Sequence, residues 1–179
     1  MSMDVYVNFA IRAENKADAE AAIRWQMLKE ELMHNNEWID ANGRRRSVPD
    51  TVLSRDYDGN WFKEHGFESM EEWGTWGMFG IACEFSDEGM EDLLGNILKV
   101  DGQDFYEIKV ENMCGAIREG TMITGETGEL RYLLKNNPNV WIEGSCTDDF
   151  DRECCIKARW DEKSKSVDGC LGLGWPTFD

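Results

Sequence analysis

The feature that most constrains this chain is a change of period within its first 35 residues. From Asp4 to Arg12, Val5, Val7, Phe9 and Ile11 alternate with Tyr6, Asn8 and Ala10, the period of a half-buried strand. Asn15 then offers an N-cap with Asp18 three residues on, and the spacing turns helical to about Asn35. Ala21, Trp25, Leu28 and Leu32 form one predicted apolar stripe, widened by Ala19, Ile23 and Met27. This strand–helix pair anchors the structural reading.

The pattern stays mixed further on. Asn42-Gly43 signals a turn before the basic run Arg44-Arg45-Arg46, which reads as a solvated loop or as a partner for acids of the same fold. Residues 47–60 look irregular. Asn60 caps a short predicted helix, Trp61 to His65, closed by Gly66. Ser69-Met70-Glu71-Glu72 fits a capping box for a second short helix, with Phe67, Met70 and Trp73 expected to pack inward. A strand is expected from about Met78 to Phe85. Ser86 then caps a helix from Asp87 to Leu98, in which Met90, Leu93, Leu94 and Ile97 share one face.

After the Asp101-Gly102 turn, Asp104 to Met113 reads as a strand, with Tyr106, Ile108 and Val110 opposite Glu107, Lys109 and Glu111. Thr121 to Thr124 is a short strand candidate, Glu129 to Asn136 a helix ended by Asn137-Pro138. Strands are predicted at Asn139–Ser145, Glu153–Asp161 and Ser166–Leu173. The order argues an α+β fold, a mostly antiparallel sheet packed by two principal amphipathic helices plus short helices. At 179 residues it is read as a single domain, 1–179, with any subdivision falling near residues 115–120.

Charge is the second constraint. The chain carries 19 basic and 36 acidic residues, a formal charge of −17. Bulk attraction to nucleic acid or an anionic membrane is excluded at that balance. Residues 61–120 hold 14 of the acids against 4 bases. These acids are interleaved with apolar residues, so they belong to folded elements and not to an acidic tail. No apolar run approaches a membrane span, and Met1-Ser2-Met3-Asp4 begins nothing like a secretory signal, so a cytoplasmic protein of a host cell is expected.

Six cysteines occur, Cys83, Cys114, Cys146, Cys154, Cys155 and Cys170. No Cys-x-x-Cys pair exists. Cys146, one of Cys154 and Cys155, and Cys170 would make an incomplete zinc set, with His34 and His65 far upstream. Reduced thiols packed as small hydrophobes are the favoured reading, and no cofactor or metal is expected. The eight tryptophans are read mainly as core, although Trp61, Trp73 and Trp76 flank acids in a manner common at interfaces.

Catalytic signatures are weak. Asp56-Tyr57-Asp58-Gly59-Asn60 resembles the first half of a calcium loop, but Trp61 and Phe67 stand where such a loop needs Gly and Glu. Asp104, Glu107 and Lys109 follow the acid-x-Lys pattern of metal-dependent nucleases, in which carboxylates hold the ion and the lysine orients water. The local negative charge works against drawing a polyanion to that place. Gly125-Glu126-Thr127-Gly128 lacks the ending of a phosphate-binding loop. No catalytic residue is assigned.

At class level, two stretches resemble the small acidic inhibitors that phages and mobile elements make against host nucleases, the anti-CRISPR and anti-restriction proteins. They are Val5-Tyr6-Val7-Asn8-Phe9-Ala10-Ile11-Arg12-Ala13-Glu14 with its Ala-rich helix, and Lys63-Glu64-His65-Gly66-Phe67-Glu68-Ser69-Met70-Glu71-Glu72-Trp73. These inhibitors share neither fold nor activity, so the resemblance implies only a partner class: a basic nucleic-acid-binding protein such as a CRISPR nuclease, with Cas9 as one example. Carboxylates would stand where phosphates stand, and the expected contact face is Glu64, Glu68, Glu71, Glu72, Asp87, Glu88, Glu91 and Asp92. The alternatives are the metal-dependent hydrolase built on Asp104, Glu107 and Lys109, and an acidic phage structural or assembly protein.

Overall fold

A computed structural model describes residues 4–54, 57, 59–74, 86–116, 129–148 and 153–170. Its elements in chain order are β1 (Asp4–Ala13), α1 (Lys16–His34), β2 (Glu37–Ile39), β3 (Arg45–Ser47), α2 (Trp61–Glu64), α3 (Met70–Trp73) and α4 (Asp87–Gly95). There follow β4 (Leu98–Lys99), β5 (Tyr106–Ala116), α5 (Glu129–Asn136), β6 (Val140–Asp148), β7 (Glu153–Asp161) and β8 (Ser166–Cys170). The expected strand at Met78–Phe85, the one at Thr121–Thr124 and the turn at 125–128 lie outside the described residues.

Six strands form one sheet in the order β4-β5-β1-β6-β7-β8, every neighbouring pair antiparallel. The fold is therefore α+β with an antiparallel sheet, as the element order implied. Strand β1 is central in a sheet covered by helices on one face: Phe9, Ile11 and Ala13 are buried there, while Arg12 stands on the opposite face, where the small Ala10 is also buried. Ile108 and Val110 of β5, Val140 and Ile142 of β6, and Ala158 and Trp160 of β7 complete the same apolar face. Helices α1, α4 and α5 cover it, so a third helix joins the two principal ones in the core, through Leu130, Leu133 and Leu134.

The face that α1 buries differs from the expected stripe. Ala19, Ile23, Met27 and Leu32 of that stripe are buried, joined by Ala22, Gln26, Lys29 and Glu30, whereas Ala21 and Leu28 are exposed. Three polar side chains of α1, Gln26, Lys29 and Glu30, are buried, and Gln26 Nε2 donates to Glu30 Oε1 at 3.1 Å. Hydrophobicity alone rotates the predicted stripe away from them. Helix α4 likewise ends at Gly95, three residues early, because glycine and asparagine stop it. Leu98 and Lys99 then pair with Glu107 and Tyr106 as an edge strand.

A smaller cluster sits beyond the end of α1. Val48, Val52, Phe62 and Trp73 form its centre, with Met33, Trp38, Tyr57, Trp61 and Phe67 around them. Residues 47–60, irregular by sequence, thus supply part of a core. Trp73 Nε1 donates to the Glu37 carbonyl at 2.7 Å, tying α3 to the β2–β3 hairpin. Met70 does not pack inward and is 49% exposed. The arginine run belongs to the hairpin and pairs with the protein's own acids: Arg45 with Glu31 and Glu37, Arg46 with Asp40.

One glycine is dictated by close approach. Gly144 of β6 lies opposite Phe9, beside the irregularity that shifts the β1–β5 register between Val7 and Phe9. A Cβ there would stand 2.2 Å from the Asn8 carbonyl oxygen and 2.5 Å from Phe9 Cα. Among the described residues, no helix is long and apolar enough to cross a membrane.

Candidate acidic interface

The eight expected contact acids fall into distinct settings. Asp87, Glu88, Glu91 and Asp92 occupy α4 and are all exposed. Ser86 caps that helix by accepting from the Gly89 N–H at 3.1 Å, which satisfies a donor that the first turn leaves orphaned. Asp87 and Glu88 lie in the first turn, where the helix dipole favours negative charge. Leu94 and Ile97 fix the other side into the core, with Met90 and Leu93 packed beside them. The acids therefore stand on a face whose orientation is set by burial of its opposite.

Glu68 and Glu72 are differently placed. Arg131 Nη1 donates to Glu68 Oε2 at 2.7 Å, and Lys135 Nζ reaches Glu68 Oε1 at 2.5 Å and Glu72 Oε1 at 3.3 Å. Glu72 Oε2 also accepts from the Glu68 N–H. The hydrogen bond from Lys135, with Arg131 beside it, holds the Glu68 carboxyl below its ordinary range. This pair clamps α3 to α5, and its charge is neutralised within the molecule. The Ser69 hydroxyl makes no cap bond to its own helix and instead lies 2.9 Å from the Tyr132 hydroxyl. Glu64 is exposed at the end of α2 and Glu71 is half-buried on α3.

Arg131 and Lys135 are the residues that sequence reasoning missed. Both pairs are four residues apart, 68 with 72 and 131 with 135, the spacing of helix neighbours. That was a usable signal for matched charge, but nothing local says which helix meets which.

The nuclease pattern is also resolved in space. Glu107 Oε2 accepts from Arg12 Nε at 3.0 Å, while Arg12 Nη1 donates to Glu143 Oε2 at 2.7 Å. Arg12 also stacks over Phe105, 4.7 Å from its centroid, and Phe105 meets Trp141 edge to face. Glu107 is thus committed to a guanidinium, the group a bound cation would have to displace. Asp104 and Lys109 are exposed. Among the described residues no three His, Cys, Asp or Glu side chains converge as a metal site would need. Asp56 and Asp58 of the calcium-like run lie outside the described residues.

Several cations pair within the molecule: Arg12, Arg45, Arg46, Arg131, Lys135, Arg159 and Lys165 all meet carboxylates. None of these pairs involves α4. No protein-family model, curated protein or solved structure matches the chain.

Proposed function

We propose that this protein is a non-enzymatic inhibitor that presents α4 as a phosphate-like ridge to a basic nucleic-acid-binding surface. The observation that carries the reading is the helix itself: four exposed carboxylates, no basic residue, and no ion pair among the described residues. Asp87, Glu88, Glu91 and Asp92 spread over about 7.5 Å of helix axis, a mean axial spacing of about 2.5 Å per charge. Duplex DNA carries about one per 1.7 Å of its axis. A channel lined with Lys and Arg meets comparable charge density from either, and long-range attraction raises the rate of encounter.

The partner class is a basic nuclease of host defence, with CRISPR effectors as the leading candidates. Glu64 and Glu71 are placed to extend the contact only if the partner surface is broad. Glu68 and Glu72 contribute little, because Arg131 and Lys135 already hold them.

A competition assay tests the reading. Labelled target DNA is bound to a Cas9-type nuclease with its guide RNA, and this protein is titrated in at two salt concentrations. Displacement of DNA that weakens as salt rises supports charge mimicry. Inhibition of cleavage with DNA still bound overturns mimicry in favour of a conformational block. Absence of any effect overturns this partner.

A further inference from the structure

The sheet register sorts the cysteines. Cys146 of β6 and Cys154 of β7 are direct partners, in a pairing that runs without a slip from Trp141↔Arg159 to Thr147↔Glu153. Directly opposed residues on antiparallel strands have Cα atoms about 4.5 or 5.5 Å apart. A disulfide spans about 4.4–6.8 Å. The backbone therefore holds these two positions at bonding distance before any oxidation takes place.

Among the described residues, the register gives the other cysteines different partners. Cys155 opposes Ser145 and, next to Cys154 on one strand, takes the opposite face of the sheet. Cys170 opposes Lys157, three positions along β7 from Cys154. Cys114 opposes Tyr6 on β1, so that β1 separates it from Cys146 by two strand spacings, about 9.6 Å. Cys83 is outside the described residues.

We propose that Cys146 and Cys154 are a redox modification site, closing to a cross-strand disulfide on reaction with a low-molecular-weight disulfide such as oxidised glutathione. One protein thiolate attacks the oxidant's S–S bond, forming a mixed disulfide and releasing one small thiol. The second protein thiolate attacks the protein sulfur of that mixed disulfide, releasing the second small thiol. Two protein thiols are oxidised by two electrons, one small disulfide is reduced to two thiols, and the two protons pass to the leaving thiolates. The second step is intramolecular and geometrically prearranged, so the mixed disulfide does not accumulate.

Only seven residues, 147–153, lie between the two cysteines. The bond sits at the end of the β6–β7 hairpin and closes a short loop, a somewhat smaller constraint on the unfolded chain than a long loop would give. This proposal is independent of the acidic interface.

The test uses the full chain in glutathione buffers of rising oxidised fraction, with thiol counting and peptide mapping by mass spectrometry. Two of six thiols disappear together, and the linked peptides join Cys146 to Cys154. Cys146→Ser and Cys154→Ser each stop at a single stable glutathione adduct, whereas Cys114→Ser closes normally. A linkage through any other pair in the wild-type chain overturns the proposal, as does retention of all six thiols until the protein unfolds. Mapping of the wild-type chain decides the matter even if a serine variant fails to fold.

Discussion

Arg131 Nη1 donates to Glu68 Oε2 at 2.7 Å, joining residues 63 apart in the chain. Lys135 takes the other oxygen of the same carboxylate. An acid that looks like surface charge in the sequence is thereby a structural link between the segment entering α3 and helix α5. Neutralising Glu68 and Glu72 as Gln should cost stability and leave partner binding intact. Glu68 is 44% exposed, and partly exposed pairs contribute about 0.2–1 kcal/mol each. Urea unfolding of the double variant, with unchanged inhibition, is the check. A loss of inhibition in the folded variant would return these acids to the interface.

The same link sets a pH dependence. The bonds from Lys135 and Arg131 lower the Glu68 carboxyl below its ordinary value of 4.5. A depressed folded-state pKa stabilises the fold above the unfolded value and loses that stabilisation as pH falls through the folded one. The urea midpoint should therefore hold at neutral pH and fall below 4.5. Glu68→Gln should show a shallower fall in that window, and identical curves for the two proteins would contradict the linkage.

Arg12 is the hinge of charge on the open face of the sheet, bonded to Glu107 on one neighbouring strand and Glu143 on the other. Arg12→Met leaves two carboxylates facing the same gap. Hydrogen bonds to charged groups contribute about 1.5–3 kcal/mol, so a loss near the lower figure is expected for these partly exposed groups. Adding Glu107→Gln and Glu143→Gln to Arg12→Met should recover part of the loss, measurable as a coupling in a mutant cycle.

Gly144 gives the sharpest packing prediction. Its hypothetical Cβ meets backbone, the Asn8 carbonyl oxygen at 2.2 Å, which has no rotamer to give way. Gly144→Ala should cost about 1–3 kcal/mol, the usual range for overpacking. A thermal transition unchanged from the wild type would contradict this account of the β1–β6 contact.

Much of the fold was legible because period and punctuation agreed. The alternation at Val5–Ile11, the Ser86 cap and the Asn137-Pro138 stop each mark an element that the structure contains. Leu28 misled because it is apolar yet exposed, while Gln26 and Glu30 are polar yet buried. Charge pairing was not legible. Glu107-Ile108-Lys109 reads as a nuclease fragment until Arg12, 95 residues away, is seen on Glu107. Likewise the eight acids read as one face until α5 is seen to hold two of them. Local sequence marks where elements begin and end, and only the tertiary pairing decides which surface charges remain unmatched.

The central claim is that the unmatched acids of α4 do the binding. The direct measurement is DNA displacement from the basic nuclease by the wild type and by a variant carrying Asp87→Asn, Glu88→Gln, Glu91→Gln and Asp92→Asn, at about 50 and about 200 mM salt. The account predicts a loss of at least about tenfold, or about 1.4 kcal/mol, in the variant at low salt, and a smaller difference at high salt. Equal displacement by wild type and a folded variant would contradict it.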